Sequence, residues 1–131
     1  MILPNIQAEA TTTVLQSQGN ANSNGSVLDL QPYKGVVTFG LAVGQITSGL
    51  GVANIDLATI QDSADNTTFA NVTGGAFTAV INAANASNVG MQVKSFSTRA
   101  VRRYARVQLN VSGTNANLPV TTFVVGQLER V

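Results

Sequence analysis

The 131-residue sequence contains no cysteine, no histidine and no tryptophan. The missing thiols exclude disulfides and thiolate metal sites. With neither imidazole nor thiol, there is no Ser-His-Asp triad, no Cys-His pair and no histidine base. Charged residues make up 10% of the chain, against about 25% in an average soluble protein. Seven basic and six acidic residues leave a net charge of +1. A surface this poor in charge has little self-repulsion to hold copies apart, which suits life inside an assembly. No apolar run approaches the roughly 20 residues of a membrane helix. Met1-Ile-Leu-Pro-Asn also lacks the basic start and apolar core of a secretion signal, so neither a membrane nor an export step is expected.

Alternation and turn chemistry fill the rest of the chain. Residues 99–113 hold the clearest pattern: Ala105, Val107, Leu109 and Val111 on one face, Tyr104, Arg106, Gln108 and Asn110 on the other. A period of two is the signature of a half-buried strand. Residues 36–43 repeat it with Val37, Phe39, Leu41 and Val43 in phase, and with Gly40 marking a bulge or a closely approaching backbone. Further strands are expected at 11–15, 27–30, 55–61 (Ile55 and Leu57 in phase), 69–72, 76–81 (Phe77 with Val80 or Ala79), 91–97 and 119–128 (Thr121, Phe123 and Val125 facing one way). Gly74-Gly75 is expected to break the chain after the 62–68 turn and its returning strand. No segment reads as a convincing helix. Eight or nine short, regularly spaced strands predict an all-β, antiparallel, jelly-roll-like β-sandwich. Residues 1–10 form an N-terminal arm carrying Ile2, Leu3 and Ile6, and 11–131 form one sandwich domain.

Recognisable chemistry is sparse. No phosphate loop occurs, and Gly49-Leu-Gly51 lacks the third glycine of a dinucleotide loop. Asp62 and Asp65 are the one close acidic pair. With Asn66 and Thr67 they allow a Ca²⁺ loop, but the spacing is not that of an EF-hand, and a hairpin turn needs the same residues. No metal, no cofactor and no catalysis are expected. Four of the seven basic residues, Arg99, Arg102, Arg103 and Arg106, fall in one stretch with Tyr104. They suit a protein–protein contact, since Arg and Tyr are enriched at interface centres. They equally suit a strand edge kept soluble by charge. Nucleic acid is disfavoured by a pI of 8.2 and by the single interleaved aromatic. A sugar site would need an exposed platform, for which Tyr33 and Tyr104 are the available tyrosines. Asn66, Asn71, Asn85 and Asn110 open Asn-x-Ser/Thr triplets, which an Asn- and Thr-rich chain produces by chance.

Three segments together resemble small structural proteins of tailed bacteriophages: 55–72, with its Ser63-x-Asp65-x-x-x-Phe69 turn between strands; 103–114, opening Arg103-Tyr104; and the closing strand 124–130. The resemblance covers residues 28 to the end. It implies a virion component, a capsid decoration (cement) protein that binds the outer surface of the assembled shell. It further implies a homotrimer, a major capsid protein as partner and a place on the capsid surface. A head–tail connector or tail protein, and a carbohydrate-binding module of a tail fibre, are the alternatives. Arg99, Arg102, Arg103, Tyr104 and Arg106 are the candidate polar contacts; Ile2, Leu3 and Ile6 are the apolar ones.

Overall fold

The computed structural model describes residues 10–16, 23–44, 53–80, 90–113 and 120–128. The expected arm residues Ile2, Leu3 and Ile6 and the small-residue loop at 82–89 lie outside them. Among these residues nine strand segments follow one another: β1 Ala10–Gln16, β2 Ser23–Asn24, β3 Leu28–Asp29, β4 Tyr33–Val43, β5 Ala53–Ser63, β6 Ala70–Ala76, β7 Gly90–Ser97, β8 Tyr104–Gly113 and β9 Val120–Leu128. Among the described residues there is no helix. Seven segments are seven residues or longer, while β2 and β3 are two residues each.

The strands make two antiparallel sheets. Sheet I has the order β1-β9-β4-β7; sheet II has β2-β8-β5-β6, with β3 also on β8. The partners nest: β1 with β9, β2 and β3 with β8, β4 with β7, β5 with β6. Such nesting is a long antiparallel ribbon folded over on itself, which is how a jelly roll arises. β2 and β3 dock on consecutive parts of β8, Ser23 opposite Leu109 and Asp29 opposite Tyr104, as one strand broken in the middle.

Alternation places the core. Val37, Phe39, Leu41 and Val43 of β4 are buried, as are Ala105, Val107 and Leu109 of β8; Val111 is half-buried at the end of its row. Phe39 meets Phe96 of β7 edge to face at 6.2 Å. Removing side chains of this size from water is the main stabilising contribution, at about 25 cal/mol per Å² of apolar surface.

Four sequence expectations need correction, two of them for a reason of register. Ile55 and Leu57 do not share a face. The pairing runs Ile55↔Val111 then Leu57↔Asn110, so Asp56 is a bulge and the inward phase passes to Ala58 and Ile60. Gly74-Gly75 does not end the strand: β6 runs through it to Ala76 as a wide bulge, Gln61↔Asn71 giving way to Thr59↔Ala76, with Gly74 at φ +77°. Phe77 and Val80 are both buried, but 77–80 is an extended trace rather than a full strand, held by Phe77 N–H to Ala58 O and by a two-bond bridge between Ile55 and Val80. On β9 the inward residues are Val120, Thr122, Val124 and Gly126. Thr121, Phe123 and Val125 therefore do share a face, and it is the outer one. There the Phe123 ring fills the space over Gly40, where an added Cβ would lie 2.1 Å from Cζ. Gly40 thus admits a side chain rather than a neighbouring backbone.

Candidate functional site

The arginine stretch closes one end of the sandwich. β8 begins at Tyr104, so Arg99, Arg102 and Arg103 precede it in a turn, and Arg106 is the one arginine of the cluster inside the strand. The turn is fixed locally: Ala100 N–H donates to Ser97 O, Thr98 N–H to Gly35 O, and Arg99 N–H to Ser97 Oγ. Val101 is its buried anchor.

The arginines then diverge. Arg102 reaches Asp62 at the end of β5, where the inward phase runs out of the core. Its backbone N–H donates to Oδ2 at 2.9 Å, Nε to Oδ1 at 2.8 Å, and Nη2 to the Asp62 carbonyl at 2.8 Å. Asp62 is 7% exposed, so its carboxylate has left water and needs these partners. Arg103 forms a two-pronged pair with Asp29 of β3, Nε to Oδ1 at 3.1 Å and Nη2 to Oδ2 at 2.9 Å. The Arg103 guanidinium, with help from the Gln31 N–H, holds the Asp29 carboxyl below its ordinary value. The same guanidinium lies 5.0 Å from the Tyr104 ring centre. Arg106 points out from sheet II, its Nε donating to Gln61 Oε1 at 2.9 Å and its guanidinium lying 4.0 Å over the Phe69 ring. Gln61 in turn donates to Asn71 and Gln108. Arg99 is exposed, and its guanidinium makes no hydrogen bond or ion pair among the described residues.

A shallow, open cleft of about 280 Å³ lies beside the turn, lined by Leu30, Gln31, Tyr33, Thr98, Val101, Arg102 and Arg103. Its floor is apolar and its rim basic. Tyr33 is no sugar platform: it is buried in the core with its ring against Gly126. Tyr104 is half-buried, with Arg103 over its ring.

The acidic pair separates into two roles. Asp62 holds Arg102. Asp65 organises the β5–β6 turn, its Oδ1 accepting from Thr68 N–H, Thr67 N–H and Ser63 Oγ. Those donors lower its pKa to about 2. The turn thus accounts for Asp65, and the ion pair with Arg102 for Asp62. No group of three or more His, Cys, Asp or Glu that could hold a metal occurs among the described residues.

The Arg102–Asp62 and Arg103–Asp29 pairings, 40 and 74 residues apart in sequence, are invisible without the fold. So is a second feature, on the outer face of sheet I, whose Val36 end adjoins the arginine turn through the Val36–Ser97 pairing. Among the described residues, three of the four exposed large hydrophobic residues stand on the outer face of sheet I: Val36 at 58%, Met91 at 66% and Val93 at 54%. The alternation of β7 held a clue, since Met91 and Val93 oppose Gln92, Lys94 and Phe96. Both phases are mixed, however, and the rule that apolar residues go inward would have turned the strand over.

No protein-family model matches the sequence, and no curated protein matches it. The fold has relatives among solved structures. SPBc2 prophage-derived protein YomS superposes with a TM-score of 0.52 at 10% identity, over 89% of this chain and 93% of that one. PBSX exported protein XepA superposes with a TM-score of 0.55 at 11% identity, over 99% of this chain; the chain spans 40% of XepA's length. More distantly, CBM32-1 of a family 31 glycoside hydrolase from Clostridium perfringens gives 0.45 at 15% identity, over 95% of this chain and 81% of that one. At such identities the similarity is one of fold: an antiparallel β-sandwich of jelly-roll type.

Proposed function

We propose that this chain is a structural protein of a phage virion, and that it decorates the outside of the assembled capsid and stabilises it by adhesion. The observation that carries the reading is the division of its surface. Asp29, Asp62 and Asp65 are held by ion pairs or turn hydrogen bonds, which leaves them poorly suited to proton transfer. Three of the four large apolar side chains that stay open among the described residues are gathered on one sheet face. Such a surface suits gripping rather than catalysis. The end-to-end likeness of fold to a prophage-derived protein supports the virion setting.

In this reading the partners are the major capsid protein and further copies of the chain, as a homotrimer, and the place of work is the capsid surface. Arg99, whose guanidinium has no partner among the described residues, is the first candidate for a shell carboxylate. Arg102 and Arg103 keep 45% and 47% of their side chains exposed while paired, so they can share a second acceptor. Tyr104 and Arg106 extend this polar contact along β8, and Ile2, Leu3 and Ile6 of the arm supply an apolar one. A protein that binds only the assembled, expanded shell stabilises it by mass action, and many copies add their modest contributions.

The test is co-sedimentation with empty, expanded capsids assembled from the major capsid protein of the same phage. Saturable binding and a higher capsid melting temperature are expected, with Arg99→Ala weakening the binding. A protein that stays in the supernatant at every capsid concentration, and leaves capsid melting unchanged, would overturn the reading.

A further inference from the structure

We infer that the outer face of sheet I is the surface on which a second copy of this chain docks. The inference rests on the self-association contained in the reading above, but not on the capsid.

The face is built rung by rung. Val93 of β7, Gly40 of β4 and Phe123 of β9 lie side by side, as do Met91, Ala42 and Thr121. Because Gly40 has no side chain, the Phe123 ring lies across it, next to Val93. The next rung is closed by a hydrogen bond of 2.8 Å between the Thr38 and Ser95 hydroxyls, and Val36 stands beyond it. No charged side chain occupies these rungs among the described residues. Lys94, the one charge of β7, is in register with Phe39 and so belongs to the inner side.

An isolated exposed valine is ordinary, but large side chains more than half exposed and grouped on one face mark a contact surface. β7 is the last strand of its sheet among the described residues, so its edge is open beside the same patch.

Charge and area favour a second copy as the occupant. On this face the rungs from Val36 to Ala42 carry no charge, Lys34 standing beyond them at the end of β4, so they can meet a surface of this chain without burying an unpaired ion, and a net charge of +1 gives two copies almost no repulsion to overcome. Four strands at about 4.8 Å spacing and eight residues at about 3.3 Å each give a face of roughly 19 by 26 Å. That is about 500 Å² per copy and about 1,000 Å² for a pair, the size at which a specific interface begins.

The experiment is light scattering and sedimentation velocity on the full chain between about 1 and 100 µM, a range that brackets the affinity expected of an interface this small. Val93→Lys and Met91→Lys are compared with Thr73→Lys, an exposed position on β6 of sheet II. All three sites are exposed, so the variants should keep the wild-type melting curve. The inference expects a wild-type oligomer that both sheet I variants weaken at least about tenfold, with Thr73→Lys unchanged; tenfold is the loss of one modest interface contact. A wild-type monomer throughout, or an oligomer indifferent to both sheet I variants, would overturn it. Capsid co-sedimentation separates the two readings. An oligomer dissolved by Val93→Lys that never binds capsids keeps this inference and ends the capsid one. A monomer that binds capsids and loses them on Val93→Lys assigns the face to the shell and ends this one.

Discussion

The two outer faces of this sandwich treat polarity in opposite ways. On sheet II, Arg106, Gln61, Asn71 and Gln108 bond one another, and Arg106 covers Phe69. On sheet I, the rungs around Gly40 carry only small, hydroxyl or apolar side chains, and Val93 and Met91 stand in solvent. Where this protein has charge, the charge is largely answered within the chain. Where it leaves large apolar side chains open on sheet I, the rungs around them are neutral. Adhesion through sheet I should then be driven by apolar burial and tolerate salt, whereas contacts made by the arginine end should weaken as salt rises.

The largest effect expected from breaking this arrangement lies between the faces, in the core that both share. Gly126 is buried on β9 with the Tyr33 ring where its Cβ would be, 2.3 Å from Cδ1. Gly126→Ala should cost about 3 kcal/mol, since a ring held in the core cannot step aside. Gly40→Ala meets Phe123 equally closely, but on the outer face, where the ring can swing into solvent. Its cost should be clearly smaller. Urea unfolding of the two variants measures the difference, and equal losses would deny that Phe123 is free to move.

Next in size is the buried pair. Arg102→Ala leaves the Asp62 carboxylate with one backbone donor at a site 7% exposed, and should cost about 2 kcal/mol by urea unfolding. Replacing both members, Asp62→Leu with Arg102→Met, should recover most of that loss, because the desolvated charge is gone. A double variant no better than the single one would show that the hydrogen bonds, rather than the orphaned charge, set the cost.

Sheet II also contains a flaw whose repair should stabilise. Thr59 is 3% exposed and its Oγ1 has no hydrogen-bond partner. Thr59→Val keeps the shape and removes the unsatisfied hydroxyl, and should raise stability by about 1 kcal/mol in the same assay. No change would mean that the hydroxyl already has a water partner.

How far the sequence reveals these features depends on whether neighbours in the chain or neighbours in space decide them. β4 and β8 are legible because each has one wholly apolar phase, Val37 to Val43 and Ala105 to Leu109. The 62–68 turn is legible because Asp65 bonds residues two and three positions away. β5 misleads, since the bulge at Asp56 reverses the phase with no glycine or proline to announce it. β7 misleads because Met91 and Val93 fall in its outer phase while its inner phase holds Lys94 and Gln92. Gln92 faces inward at no cost because its side-chain amide pairs with both the N–H and the C=O of Thr78, tying the edge of sheet I to the chain beyond β6. The arginines are the clearest case. Their clustering is visible in the sequence, but Asp62 and Asp29, which hold two of them, come from distant strands.

Two smaller effects sharpen the contrast. The Asp65 carboxyl sits near 2 in the folded protein against an ordinary value of 3.8. A depressed carboxylate adds stability that is complete above about pH 4 and is lost as pH falls through 3.8 towards 2. Asp65→Asn, which keeps an acceptor oxygen but cannot titrate, should lose less stability over that window than the wild type. Thermal unfolding from pH 5 to pH 2 reads it, and parallel curves would remove Asp65 from the account. Smallest of all is the Arg103–Asp29 pair. Both side chains are over a third exposed, so water and salt already screen them. Arg103→Gln should leave stability almost unchanged in dilute buffer, and should change nothing resolvable in 1 M salt, where the screening length falls to about 3 Å. A loss as large as that of Arg102→Ala would mean that the pair is shielded as Asp62 is. The arginine end would then be part of the sandwich's frame rather than a surface held ready for a partner.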